Sequence, residues 1–420
     1  MKRLLRGGQA LHGSVWKAAD IAIAQGAMRI ARPGSFLEEP FDETIDCGGL
    51  FIFPGFKDLH VHFREPGFSS KETIASGSRA AARGGYTAVC TMPNLEPPPD
   101  SLPHLQAQLD LIARDAVIPV IPVGAITKGQ CGAGALSAME ELAPFVCGFS
   151  DDGVGVQDGA LMRRAMECAK ALDKPIISHC EDKSLLGGGY IHDGTYAQAH
   201  KHRGICAESE WIPLARDLEL ARQTGCAYHV CHVSTKESVA LIRRAKARGV
   251  RVTAETAPHY LLLTDEDLQE DGRFKMNPPL RGSEDRAALL EGVLDGTIDC
   301  IATDHAPHTA QEKAGGLAGS AFGIVGLETA FPLLYTKLVL PGKLPLIRLI
   351  DLMSLRPGAV LAGWMRQPME VSCCAWDLRA HDQIDPANFL SKGKATPFAG
   401  WAVAGRCRFV LSEKGEVLWN

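Results

Sequence analysis

The chain has 420 residues, 46% hydrophobic and 22% charged, a balance that excludes a disordered, collagen-like or small disulfide-stapled protein. Lys and Arg number 44 against 49 Asp and Glu, a net charge of −5, so no basic field exists to draw nucleic acid or an anionic membrane. No apolar run of about 18 residues suggests a membrane span. The start, MKRLLRGGQALHG, lacks the apolar core of a secretory signal, and the 13 cysteines show no C-x-x-C spacing. These features predict reduced thiols and a cytoplasmic enzyme.

Residues 1–52 carry short Val/Ile/Phe runs punctuated by Gly and Pro, without helical periodicity. A strand–helix alternation follows. Its strand candidates are 53–63, 86–92, 117–123, 145–150, 175–179, 227–233, 250–255 and 298–303. Between them lie helix-like segments such as 71–85, 158–172 and 235–248, with Asp158 and Thr235 as N-cap candidates. Near-continuous apolar strands alternating with helices indicate a parallel sheet covered on both faces. Eight such units predict an α/β fold, a (β/α)8 TIM-like barrel over 53–362; no G-x-G-x-x-G opens a helix as an open dinucleotide-binding sheet would require. Residues 305–323, rich in Gly and Ala, read as a long connection of the kind that forms lids. The tail, 363–420, again reads as β-rich, so 1–52 and 363–420 are expected to build one small β-sandwich domain from both termini.

Polar residues fall where a barrel strand should be apolar. Asp58, His60 and His62 stand at i, i+2 and i+4, all on one strand face. Strand four ends in Asp151 and Asp152, strand five in His179, strand six in His232 and strand eight in Asp304. These are C-terminal strand ends, the edge on which barrel active sites are built. Imidazoles and carboxylates together suit Zn²⁺, Mn²⁺ or Co²⁺, and five or six such ligands exceed the three of one catalytic zinc. Two metals sharing a carboxylate would hold a water whose pKa falls from 15.7 to about 7. His229, His259 and His305 lie near the same rim without an assigned task.

Several tracts resemble the dihydroorotase family of the amidohydrolase superfamily: DLHVHFREPG (58–67), MPN (92–94), FSDDG (149–153), SHCED (178–182), HVCHVSTKE (229–237), KMNPPLR (275–281), ATDHAPH (302–308) and FGIVGLETA (322–330). They occur in the order of the bacterial single-function type and span about residues 50–340. The resemblance implies reversible hydrolysis of (S)-dihydroorotate to N-carbamoyl-L-aspartate, in pyrimidine biosynthesis, with two zinc ions per subunit. It implies that His60, His62 and Asp304 bind one zinc, His179 and His232 the other, and that Asp152 bridges them, with Asp151 as the runner-up. Asp304 would also serve as general base and acid toward a metal-bridging hydroxide. His62, Arg64, Asn94, Asn277, His308, Phe322 and Gly323 would contact the substrate, Arg64 as a bidentate fork on its carboxylate. Turn chemistry beside Pro93 and Pro278 is the competing reading of Asn94 and Asn277.

Many relatives bridge their metals with a carboxylated lysine. FSDDG offers none at that place, and Lys128 is a poor substitute. This departure favours dihydroorotase over a hydantoinase- or allantoinase-like enzyme, and the complete ligand set argues against an inactive scaffold partner of aspartate transcarbamoylase. A second departure, RQPMEVSCCAWDLRA (366–380), leaves the tail's boundaries open. The family expectation is a homodimer acting on a small molecule, and no motif supports association with aspartate transcarbamoylase.

Overall fold

At Gly55 the chain changes sheets. The computed structural model describes residues 2–13, 15–24, 26–366, 372–412 and 414–419. Its strands before this point are β1 (Arg3–His12), β2 (Val15–Ala24), β3 (Ala27–Ala31), β4 (Glu43–Asp46) and β5 (Phe51–Pro54). β6 (Phe56–Val61) then opens the parallel part. The first strand candidate, 53–63, therefore divides: Phe53 and Pro54 belong to the earlier sheet. A Cβ on Gly55 would come within 2.2 Å of the Thr87 side chain, so the corner requires glycine.

The parallel strands continue with β7 (Tyr86–Thr91), β8 (Val120–Pro122), β9 (Gly124–Ala125), β10 (Phe149–Ser150) and β11 (Ile176–Ser178). A separate two-stranded pair, β12 (Ile191–His192) and β13 (Gly204–Ile205), precedes β14 (Tyr228–Val230), β15 (Val252–Thr256) and β16 (Cys300–Ile301). One parallel sheet runs β6-β7-β8 and another β9-β10-β11-β14-β15-β16. The third strand candidate, 117–123, holds only β8, which pairs with β7; β9 lies just past it and pairs with β10. At the other seam, Val61 and His305 form a parallel bridge and His62 N donates to His305 O at 2.9 Å.

The helices between strands start where their caps dictate. Thr73 caps Ile74–Arg83, Asp158 accepts from Ala160 N to cap Gly159–Ala171, and Thr235 accepts from Ser238 N to cap Lys236–Ala247. Below the polar strand ends, His229 and Glu255 apart, the interior is mostly apolar. Leu59, Cys90, Met92, Cys147, Ile177, Cys231 and Cys300 pack against Leu361 and Trp364 of the helix Arg356–Met365, which closes that end.

The terminal strands share one sheet. β17 (Cys373–Gln383), β18 (Ala402–Leu411) and β19 (Val417–Trp419) give the order β19-β18-β17-β5-β1-β2-β3, with β4 paired to β1. Leu5, Ile21, Ile23, Ile52, Ala375 and Leu411 make a cluster of its own there. Within the unusual segment 366–380, residues 367–371 lie outside the described residues. All 13 cysteines are free thiols, and no helix among the described residues is long and apolar enough to cross a membrane.

Candidate metal centre

His60 and His62 lie two apart at the end of β6, so the strand's pleat points both imidazoles the same way, with ring centroids 5.3 Å apart. Asp152, His179, His232 and Asp304 follow the ends of β10, β11, β14 and β16. Each is buried. Asp152 Oδ1 is 3.3 Å from His60 Nε2 and 3.7 Å from both His179 Nδ1 and His232 Nε2, while Asp152 Oδ2 is 3.7 Å from His62 Nε2. Asp304 Oδ1 lies 3.3 Å from His62 Nε2 and 3.7 Å from His60 Nε2. All six expected ligands therefore meet, with Asp152 facing both histidine pairs.

The adjacent aspartates separate cleanly. Asp151 turns away: its carboxylate accepts from Ile126 N at 2.9 Å, from Thr127 N and Gly132 N at 3.1 Å, and from the Thr127 hydroxyl. Asp58 shares the pleat of His60 but does not join the cluster. Its carboxylate accepts from Thr303 Oγ1 at 2.6 Å, Thr303 N and His60 N, tying β6 to the segment after β16. Burial pushes its pKa up to about 7. Lys128 is exposed.

Backbone strain collects at this rim. Arg64, His232 and Asp304 have φ of 62°, 33° and 48°, left-handed conformations that cost non-glycine residues about 1–3 kcal/mol each. Charge also concentrates. Burial works to raise the Asp152 carboxyl, but His60, His232 and His62 more than offset it and hold it well below the usual range. Asp304 is lowered in the same way, burial being outweighed by His62, His60 and His232. Burial lowers His60, yet Asp152 and Cys231 leave it raised well above its ordinary value.

The donor set fits a divalent cation. His60 Nε2 and Asp152 Oδ1 are buried, face each other and have no hydrogen-bond partner; His62 Nδ1 is likewise buried and unpartnered. Donor atoms of His60, His62 and Asp304, and of His60, Asp152 and His232, lie within 4.8 Å of one another. Facing acceptors in a dry pocket are costly unless a cation lies between them.

The expected substrate residues border the cluster. The Arg64 guanidinium reaches Pro307 O and His308 Nε2, both at 3.3 Å, and has no carboxylate partner among the described residues. His308 Nε2 donates to Phe322 O at 2.8 Å, so its approach to Arg64 is a contact and not a hydrogen bond, and burial beside Arg64 pushes its pKa down to about 4. Asn94 Nδ2 donates to Asp152 O at 2.7 Å, leaving its buried Oδ1 unpartnered. Asn277 Nδ2 donates to Glu181 Oε2 at 2.6 Å. Gly323 has both backbone groups engaged, its N donating to Lys275 O outside the loop and its O accepting from Lys313 Nζ within it.

Two carboxylates escaped the sequence reading. Glu255 stands 3.0 Å from His60 Nδ1, and Glu181 stands 3.7 Å from His179 Nε2. Both carried the signal used for Asp304, an acid at or just past the end of an apolar strand. Of the unassigned rim histidines, His229 contacts Glu255 and His305 contacts Glu72.

The profile of the family described as dihydro-orotase-like matches residues 49–238. The dihydroorotase of Anoxybacillus flavithermus is 48% identical over 408 residues, 96% of this chain and 94% of the relative. That of Geobacillus kaustophilus is 51% identical over 375 residues, 88% of this chain and 87% of the relative. Among solved structures, an L-hydantoinase (dihydropyrimidinase) from Arthrobacter aurescens superposes with a TM-score of 0.85 at 24% identity, covering 100% of this chain and 97% of its own. A D-hydantoinase (dihydropyrimidinase) from a Thermus species gives 0.83 at 25%, covering 99% and 94%. The hydantoinases share the α/β fold; identity near one half, sustained over 87% or more of each chain, places the chain itself in the dihydroorotase family.

Proposed function

We infer that the chain is a dihydroorotase, a cyclic amide hydrolase that interconverts (S)-dihydroorotate and N-carbamoyl-L-aspartate in pyrimidine biosynthesis. One observation carries the chemistry: a guanidinium without a carboxylate partner, Arg64, stands beside a buried cluster of bare imidazole and carboxylate acceptors. The first suits an acidic substituent, the second an amide to be hydrolysed.

His60, His62 and Asp304 would hold one zinc, His179 and His232 a second, with Asp152 between them; Mn²⁺ or Co²⁺ would substitute. When bound, the pair supplies Lewis acidity and lowers the pKa of water to about 7. Arg64 receives the substrate carboxylate as a two-pronged donor, with Asn94 and His308 at its side. Asn277 faces the ring, and Phe322 and Gly323 border its edge. Asp304 accepts a proton from the attacking water as the carbonyl carbon gains its new C–O bond. It returns that proton to the ring nitrogen as the C–N bond breaks, and ring closure reverses each step.

The same reading takes the expected 53–362 segment, less Phe53 and Pro54 of β5, as a closed (β/α)8 barrel, and 1–54 with 363–420 as a small β-sandwich domain. It takes the enzyme as a cytoplasmic homodimer, and aspartate transcarbamoylase is not needed for its site. Hydrolysis of L-dihydroorotate by metal-analysed protein, with hydantoin and allantoin as controls, tests the function. Turnover of dihydroorotate alone, lost on chelation and restored by zinc, is the expected result. Bound metal without that turnover would overturn the substrate assignment.

A further inference from the structure

Directly beneath the cluster, the buried Glu255 and His229 and the half-buried Thr253 hold His60 from behind. Glu255 Oε1 accepts from His60 Nδ1 at 3.0 Å, and Glu255 Oε2 accepts from His229 Nε2 at 3.1 Å. His229 Nδ1 in turn accepts from the Thr253 hydroxyl at 2.8 Å. His60, His229 and Glu255 are each 0% exposed, so no water competes for the two bonds among them. Strand register builds the arrangement: His229 and Thr253 are cross-strand partners on β14 and β15, and Glu255 follows Thr253 by two on the same face.

For the neutral imidazoles that a cation would need, the protons of this chain have one arrangement. An ionised Glu255 offers one oxygen to each imidazole N–H. His60 therefore carries its proton on Nδ1 and presents a bare Nε2, the atom left without a partner opposite Asp152. His229 carries its proton on Nε2 and takes the hydroxyl of Thr253 on Nδ1. Every donor is used, and the only lone pair left over points into the proposed metal site. The other His60 tautomer would aim an N–H at the cation and leave Glu255 Oε1 facing a second acceptor.

We propose that Glu255 is a positioning residue for the metal centre, locking His60 into the Nδ1–H tautomer and orientation that a cation requires, with His229 and Thr253 holding Glu255 in turn. The inference rests on the two-metal reading above. It adds a buried carboxylate, one residue behind the proposed metal ligand shell, as a determinant of metal affinity; such outer partners are worth about 10–100-fold in binding.

The test is zinc affinity of the full-length protein by chelator competition, alongside Tm and dihydroorotate turnover. Glu255→Ala should weaken zinc binding by about 10–100-fold. Glu255→Gln keeps an amide oxygen for His60 Nδ1–H and should bind within a few-fold of wild type, whereas Glu255→Asp, which withdraws the acceptor, should resemble the alanine variant. If Glu255→Ala does not fold, the order of Gln above Asp decides. Equal zinc affinity across folded variants that differ only in Tm would reduce Glu255 to packing and overturn the proposal, as would a Gln variant no better than Asp. Wild-type protein that takes up no zinc would overturn the metal reading itself, and this inference with it.

Discussion

Lys313 Nζ donates to Gly323 O at 2.8 Å, closing the long connection after β16 upon itself. The same amine donates to Ala321 O at 2.7 Å and to Lys275 O at 3.0 Å, and the side chain is buried. The segment expected as a lid is thus fastened from inside, immediately behind Phe322 and Gly323. Lys313→Met keeps the stem and removes all three donors, leaving Gly323 O and Ala321 O unpaired while Lys275 O keeps Gly323 N. Losing bonds of this kind costs about 1.5–3 kcal/mol. The expected outcome is a KM for dihydroorotate raised roughly tenfold or more, converting that energy at 1.36 kcal/mol per tenfold. Zinc content should not change, and steady-state kinetics with metal analysis checks both.

Arg64 should act on substrate capture rather than chemistry. Its guanidinium touches only a carbonyl and an imidazole, so the carboxylate of the substrate is its natural partner. Arg64→Met retains the aliphatic stem without the fork. A charged hydrogen-bonded contact worth about 1.5–3 kcal/mol corresponds to roughly 10- to 150-fold in kcat/KM. The loss should appear mainly in KM. An unchanged kcat/KM would refute the contact.

Asp304 is expected to separate metal binding from proton transfer. Asp304→Asn preserves size and one oxygen facing His62 and His60 but cannot take a proton. Proton transfer by a positioned group contributes typically 10²–10⁴-fold, so kcat should fall by about that factor. Zinc content by elemental analysis should fall only in part. Near-wild-type turnover would remove Asp304 from the base and acid role.

The residues that assemble the site were legible because strand parity and strand ends can be read locally. His60 and His62 share a face through period-2 alternation, and His179, His232 and Asp304 each follow an apolar run. What stayed hidden depends on partners distant in sequence. Asp151 and Asp152 could not be separated by pattern, since Thr127 and Gly132 decide which one turns away. Asp58 has the parity of His60, yet Thr303 claims its carboxylate. Phe53 and Pro54 read as the start of a barrel strand, but Phe51–Pro54 pairs with Cys373–Trp376 in the terminal sheet. The π-helical turns at Tyr335–Val339 and Asp351–Leu355 carry no local signature that sets them apart from ordinary helix.

Acid sensitivity should trace in part to His259, a rim histidine that is 2% exposed and whose Nε2 has no partner. Burial pushes its pKa down to about 4, with His232 adding to the fall and Asp304 opposing it. In the unfolded chain the same imidazole titrates near 6.5. Between those values the unfolded state binds the proton and the folded state does not. The contribution to stability is therefore present above about pH 6.5 and is lost as pH falls toward 4, at up to 1.36 kcal/mol per pH unit and roughly 3 kcal/mol in all. His259→Leu removes the titrating group while keeping an apolar side chain against Tyr260. Urea unfolding of chelator-treated protein at about pH 7 and about pH 5 should show a smaller loss of stability in the variant than in wild type, by about 2 kcal/mol. Equal losses would mean that His259 is already protonated in the folded protein at the lower pH, held by a partner the neutral ring does not show.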